Sequence, residues 1–149
     1  MRALLSLCAG FMLAVLWFDL MFDVQVLSGD GARSREEALV SIAAYYRRVT
    51  TRARPMTYLV GVVMLVMVGG TMLQLVRGGG RLPARLGALA LCLVPVVAAQ
   101  VRTFPNAVRL GARVDPPEVQ ARLARAICRD HLVFLPAMAV FAALQLVGP

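Results

Sequence analysis

Four apolar stretches, at 3–27, 56–76, 82–101 and 132–147, dominate this sequence of 149 residues. Each is close to the roughly 17–25 residues that a helix needs to cross the hydrocarbon core of a bilayer. Lipid offers no partner for free backbone N–H and C=O groups, and no alternating strand pattern is present, so the stretches should be helices. The pattern predicts an all-α polytopic membrane protein, a four-transmembrane-helix bundle in one integral membrane domain spanning 1–149.

Composition supports this class. Hydrophobic residues make up 60% of the chain and charged residues only 16%, and the mean hydropathy of +0.74 is too high for an ordinary soluble domain. All basic residues are arginine, which is typical of a GC-rich bacterial genome, and the formal net charge is +8. No groove-reading motif accompanies these scattered arginines, so we expect anionic lipid headgroups rather than nucleic acid as counterions, and a multi-pass location in the bacterial inner membrane.

Two polar connectors, Ser34–Arg54 and Asp115–Asp130, follow the first and third spans. Each opens with Ser or Asp followed three residues later by Glu, the capping pattern that starts a helix. Apolar positions recur along both, which predicts two amphipathic connecting helices. Because two spans separate them, both connectors should lie on the same side of the membrane. The equal spacing from cap to next proline in the two halves suggests a tandem two-span repeat.

The paths of the connectors allow two interpretations. They could lie along the membrane interface, or run into spans two and four as helices kinked at Pro55 and Pro136. The short fourth stretch favours the continuous helix. Orientation also stays open, because the arginine-rich connectors favour a cytoplasmic location, whereas the opposite turn at 77–81 is basic and contains no acid.

Asp19 and Asp23, near the end of the first span, are the strongest indication of a functional site. A carboxylate within a bilayer costs roughly 2.5–3.5 kcal/mol on insertion scales, so it persists when it is paired or useful. The i, i+4 spacing places both on one helical face. They could be an interfacial helix end held by arginine, or part of a polar pocket. In either case we expect Asp19 to face the interior beside Arg48, with Arg129 as the alternative partner.

Three further polar residues lie where they could complete such a pocket. Gln100 and Asn106 bracket the end of the third span, where Phe104-Pro105-Asn106 is predicted to break the helix and form a pocket wall. His131 is the only histidine and lies at the start of the fourth span. It could be an inert interfacial residue or an acid/base group beside Asp130 or opposite Asp19. The candidate catalytic residues are Asp19 and His131, and the candidate ligand-binding residues are Asp19, Asp23, Arg48, Gln100, Asn106 and Arg129.

No metal or cofactor is expected. A single histidine lacks the spacing of a zinc, haem or di-iron site, and no phosphate-binding loop, dinucleotide fingerprint or nucleophile elbow is present. Cys8, Cys92 and Cys128 are isolated and odd in number, which indicates buried apolar fillers rather than disulfides. Gly61 and Gly69 on the second span allow close helix contact, inside the bundle or in a homo-oligomer.

The chain combines four short spans, a polar connector after the first span, and the stretch Phe104-Pro105-Asn106 to Leu110 followed by a helix with Arg129 and His131. This plan resembles the anthrone-oxygenase-like family of small membrane proteins. The resemblance covers most of the chain. It implies a cofactor-free oxygenase of polycyclic phenols, or a relative of other activity. The chain departs from the family pattern in its paired Asp19 and Asp23.

Two classes of function follow. As an enzyme or binding protein, the chain would hold a lipophilic small molecule between its helices, with Asp19 or His131 removing a proton and Arg48 or Arg129 stabilising an oxyanion. As a non-enzymatic protein, it would be an accessory subunit or carrier in a larger membrane complex, and its charged residues would fix helix register and partner choice.

Overall fold

The computed structural model describes residues 1–27, 32–52 and 54–147, and all regular structure in these ranges is helical. The α-helices are α1 Arg2–Asp23, α2 Ala32–Tyr46, α3 Arg54–Arg77, α4 Leu82–Ala98, α5 Phe104–Ala112 and α6 Pro117–Val147. A 3-10 turn, Val24–Leu27, extends α1, and the π-helical turns Arg47–Arg52 and Ala99–Thr103 lead towards α3 and α5. The predicted all-α class is confirmed.

Four helical stretches of the described chain are long and apolar enough to cross a membrane: Arg2–Leu27, Pro55–Arg77, Leu82–Ala112 and Pro117–Val147. Their number and order support the prediction of a multi-pass membrane protein. The last two contain 31 residues each, which makes them longer than the sequence predicts. The fourth gains its length because the second connector and the fourth apolar stretch form one continuous helix, α6.

The predicted helix break at Phe104-Pro105-Asn106 is wrong, because the chain remains helical there. Pro105 lies in the first turn of α5, and the preceding Phe104 donates its backbone N–H to the carbonyl of Ala99, so the chain passes the proline in the i to i−5 bonding pattern of a π-helix. The π-helical turn immediately before it joins α4 to α5 without a loop. Thr103 and Phe104 therefore present their side chains from a helix.

The main apolar core lies between α1, α3, α4 and α6. The buried face of α1 repeats at helical spacing through Leu5, Met12 and Leu16, and it forms one core with Met67 of α3 and with Phe141 of α6. The turn between α3 and α4 requires glycine, since all three of its glycines have positive φ. That tight turn sets α3 and α4 side by side.

A second apolar core lies under the connectors. The face of α2 carrying Leu39 and Ile42 packs against Ala107 and Leu110 of α5 and against Ile127 in the first half of α6. This layer fixes how far along α1 the end of α2 sits, which decides which side chains of the two helices can meet.

The helix starts differ from the predicted caps. The first connecting helix, α2, begins at Ala32, before the predicted cap Ser34. The helix α6 begins at Pro117. Its predicted cap, Asp115, accepts hydrogen bonds from Nε and Nη2 of Arg109 at 2.7 and 2.6 Å.

Candidate functional site

His131 lies between the two aspartates of α1. Its Nδ1 is 2.7 Å from Oδ2 of Asp23, and its Nε2 is 3.9 Å from Oδ2 of Asp19. The Asp23 side chain has no exposed surface, whereas the Asp19 side chain keeps 15% of its surface exposed. The three groups form a line from the protein interior towards a cavity.

Two adjacent tyrosines at the end of α2 complete this cluster. The Tyr45 hydroxyl donates to Oδ1 of Asp19 and the Tyr46 hydroxyl donates to Oδ1 of Asp23, each at 2.6 Å. Neighbouring helical residues point in directions about 100° apart, so Tyr45 and Tyr46 reach different carboxylates, one helical turn apart on α1. Phe22 stacks on Tyr45 with ring centroids 4.1 Å apart and holds that phenol in place.

The two phenols act as hydrogen-bond donors. Burial, and then the neighbouring charge of Asp23, raises the pKa of Tyr46 far above its ordinary value. Burial followed by Asp19 raises the pKa of Tyr45 in the same direction. Both hydroxyls therefore keep their protons at physiological pH, and each can stabilise a carboxylate without adding a second charge.

The hydrogen bonds of Asp23 set the orientation of the imidazole. An ionised carboxylate can only accept, which places a proton on Nδ1 of His131. Nε2 on the opposite side of the ring, facing Asp19, can then accept a proton, or donate one when the ring is protonated. Asp19 and His131 thus present a carboxylate oxygen and Nε2, 3.9 Å apart, to the same cavity.

A cavity of about 670 Å³ adjoins this cluster. Its volume is within the usual range for small-molecule sites. Most of its wall is apolar, including Phe11, Met64 and Phe134. Its polar lining side chains are Asp19, Tyr45, Tyr46, Thr50, Thr57, Gln100, Thr103 and His131. The predicted candidates Asp19, Gln100 and His131 thus line one common cavity, with Asp23 buried directly behind His131.

A separate ion pair lies next to His131 along α6. Nε of Arg102 and the Thr103 hydroxyl both donate to Oδ2 of Asp130 at 2.9 Å, and Nη2 of Arg102 pairs with Oδ1. Asp130 is only 3% exposed, whereas half of the Arg102 side chain is exposed. This pair ties α6 to the π-helical turn before α5.

The predicted pairing of Asp19 with an arginine is wrong for the arginine side chains that the structure describes. Arg48 is exposed and lines a different groove, and Arg129, the alternative, is exposed on α6. Tyr45 occupies the position at Asp19. A phenol donates a hydrogen bond to a carboxylate without the cost of removing a guanidinium from water, which explains why Tyr45 rather than an arginine contacts Asp19.

The other predicted residues take different positions. Gln100 lines the cavity, and its side chain amide is 3.5 Å from the sulfur of Met64. Asn106 is half-buried on α5 and is not part of the cavity lining. Among the described residues, no group of three or more His, Cys, Asp and Glu side chains is arranged to hold a metal ion.

Sequence reasoning missed Tyr45 and Tyr46 as polar site residues. Tyr46 is part of a periodic apolar face, so the sequence pattern predicts that it is a core residue. The pair of buried carboxylates could have indicated them, because each carboxylate needs a hydrogen-bond donor. Two adjacent tyrosines in a packed connector can supply both donors. The Arg102–Asp130 pair was also missed, since it joins elements that are distant in sequence.

The chain matches no protein-family model, no curated protein and no solved structure in the comparisons made.

Proposed function

We propose that this protein binds a lipophilic small molecule in the cavity beside His131, with a polar group of the ligand against Asp19 and His131. One observation carries the proposal: Asp19, Tyr45 and His131 line the same cavity of about 670 Å³, whose remaining wall is mostly apolar. Convergent polar groups at one end of an apolar cavity are the usual design of a small-molecule site.

The chemistry of the polar end favours a ligand that carries a hydroxyl with an acidic proton. The Asp23 carboxylate orients His131 at 2.7 Å, so that Nε2 and Asp19 form a proton-accepting pair facing the cavity. A phenolic hydroxyl can donate to that pair, and the apolar wall can cover its rings. The resemblance to the anthrone-oxygenase-like family is consistent with a phenolic ligand. In an enzyme of this kind, the same pair would remove the proton.

The proposal includes the membrane arrangement. The four apolar helices form a four-transmembrane-helix bundle of a bacterial inner-membrane protein, with both connectors on the same side. Two features support this arrangement: α2 packs against α5 and the first half of α6, and two spans lie between the connectors. The tandem two-span repeat is also part of this proposal, and its support is the equal sequence spacing in the two halves.

Filling the cavity tests the proposal. Gly61 on α3 lines the cavity, and a side chain there meets open space, so Gly61→Phe should place a ring inside it. Gly69→Phe is the matched control, because Gly69 lies on the same helix, also faces open space and is not part of the lining. Organic extracts of each purified protein are analysed by mass spectrometry for bound lipophiles.

We expect the wild type and Gly69→Phe to retain the same lipophile, and Gly61→Phe to lose it while keeping its thermal stability. Equal recovery from both variants would contradict the proposal. Recovery of no small molecule, together with stoichiometric co-purification of a larger complex, would favour the alternative function, an accessory subunit or carrier.

A further inference from the structure

A second groove, of about 840 Å³, lies between the end of α2, the following π-helical turn and the end of α5. Four arginines line it: Arg47, Arg48, Arg52 and Arg113. None of the described residues that line it is acidic. Arg113 is paired with Glu36, and within the described ranges the other three arginines take part in no ion pair. Three arginine charges therefore converge on one groove in which no described side chain neutralises them.

The π-helical turn explains the convergence. Hydrogen bonds in a π-helix run from residue i to i+5, which widens the turn and brings residues five apart closer to the same face. Arg47 and Arg52 are the first and last residues of this turn. In an ordinary α-helix, residues five apart point in clearly different directions. The local backbone thus gathers charges that mutual repulsion would otherwise separate.

Gly111 fixes the other wall of the groove. A Cβ atom at this position would lie 2.7 Å from the backbone nitrogen of Arg47 and 3.0 Å from its Cα. Only a residue without a side chain allows α5 to approach the π-helical turn this closely. Val40, Ala43 and Ala112 add an apolar strip beside the arginines.

The groove lies at the ends of two apolar helices on the same side. Arg52 is just before the stretch Pro55–Arg77, and Ala112 ends the stretch Leu82–Ala112. A chain that crosses a membrane twice between these points returns to the same surface. Headgroups of lipids lie at this depth, with acyl chains beside the apolar helices.

We propose that this groove is a binding site for the phosphate group of an anionic phospholipid. Guanidinium groups recognise phosphate oxygens through paired charged hydrogen bonds, and arginine is the side chain best suited to this geometry. The apolar strip and the neighbouring membrane helices favour a lipid over free phosphate. The groove shares no lining residue with the cavity beside His131.

The test uses the full-length protein in neutral detergent, depleted of lipid and titrated with phosphatidylglycerol. Its readouts are the midpoint of thermal unfolding and retained lipid adducts in native mass spectrometry, because a ligand that binds the folded state raises its stability. Phosphatidylcholine is the zwitterionic comparison, and inorganic phosphate distinguishes a soluble anion from a lipid. The groove variant is Arg47→Gln with Arg52→Gln. Arg122→Gln with Arg125→Gln is the charge-matched control, since both residues are exposed on α6 away from the groove.

We expect saturable stabilisation of the wild type by phosphatidylglycerol and much less by phosphatidylcholine. Each basic residue near an anionic headgroup contributes about fivefold in affinity, so the groove variant should bind roughly 25-fold more weakly. The control variant should bind like the wild type. Arg47→Lys with Arg52→Lys should recover part of the affinity, which separates loss of charge from loss of fold.

Equal weakening in both glutamine variants would overturn the proposal, because binding would then follow net charge and not the groove. Equal stabilisation by phosphatidylcholine would also overturn it. If inorganic phosphate at the same concentration reproduces the effect of phosphatidylglycerol, the ligand is a soluble anion and the lipid assignment is wrong.

Discussion

The hydroxyl of Tyr46 lies 2.6 Å from Oδ1 of Asp23, and that carboxylate has no exposed surface. The same aspartate holds Nδ1 of His131 with its other oxygen. One buried side chain of α1 thus joins the connector α2 to α6, and it orients the only histidine of the chain towards the cavity.

Replacing Tyr46 with phenylalanine should destabilise the protein. The change leaves one oxygen of a buried carboxylate without its donor, and an unsatisfied buried group of this kind costs about 1–3 kcal/mol or more when it is charged. Thermal and denaturant unfolding in detergent measure the loss. Tyr58→Phe is the control, because Tyr58 is 68% exposed, and it should unfold like the wild type.

Stability should fall at alkaline pH through Tyr46. Its pKa in the folded state is raised above the unfolded value of about 10, so its contribution is complete below that pH and is lost as the pH rises through the folded pKa. The slope from this group is up to about 1.4 kcal/mol per pH unit. Tyr46→Phe should show a shallower decline of unfolding free energy above about pH 10 than the wild type. Parallel slopes in the two proteins would contradict this assignment.

Removing Arg102 and removing Asp130 should reduce the stability of the protein by different amounts. Arg102→Gln leaves a carboxylate that is only 3% exposed without its charge partner, and we expect a loss of about 3 kcal/mol, the low end of the range for breaking a buried pair, because Thr103 still donates. Asp130→Asn should cost less, since half of the Arg102 side chain already contacts solvent. The double variant should recover part of the loss. If Asp130→Asn proves the more damaging, the carboxylate is not the costly partner.

Gly111→Ala should destabilise the packing of α5 against the π-helical turn. The new methyl group would meet the backbone of Arg47 at 2.7 Å, and backbone cannot rotate away as a side chain can. We expect a loss of about 1–3 kcal/mol, typical of overpacking. Gly87→Ala is the matched control, because its Cβ meets nothing within 4 Å, and it should leave stability unchanged or raise it slightly. Similar unfolding midpoints for the two variants would show that the close contact is not required.

The amino-acid sequence predicts the membrane helices and the main acidic residues of the site. Apolar length and the cost of a carboxylate in lipid are properties of single segments, so Asp19 and Asp23 stand out without knowledge of the fold. The spacing of His131 from the fourth apolar stretch likewise indicates a residue near a helix entrance. These inferences need no information on how helices pack.

The partners of those residues could not be predicted in the same way. Whether Asp19 meets Tyr45 or Arg48 depends on the rotation and height of α2 beside α1, which the core around Ile42 and Leu110 determines. The continuity at Pro105 depends on a π-helical turn, for which no simple sequence pattern exists. Long-range packing therefore decides the details that local periodicity leaves open.

The proposed ligand is a lipophilic hydroxyl compound that binds against His131 and Asp19. Because the chain has one histidine, nitrogen-15 NMR of histidine-labelled protein reports Nδ1 and Nε2 of His131 alone. We propose titration with naphthol in detergent, on the wild type, Gly61→Phe and Gly69→Phe. We expect a saturable change in the Nε2 signal that is larger than that of Nδ1, retained in Gly69→Phe and lost in Gly61→Phe. An Nε2 signal that does not respond to naphthol, or that responds equally when the cavity is filled, would contradict it.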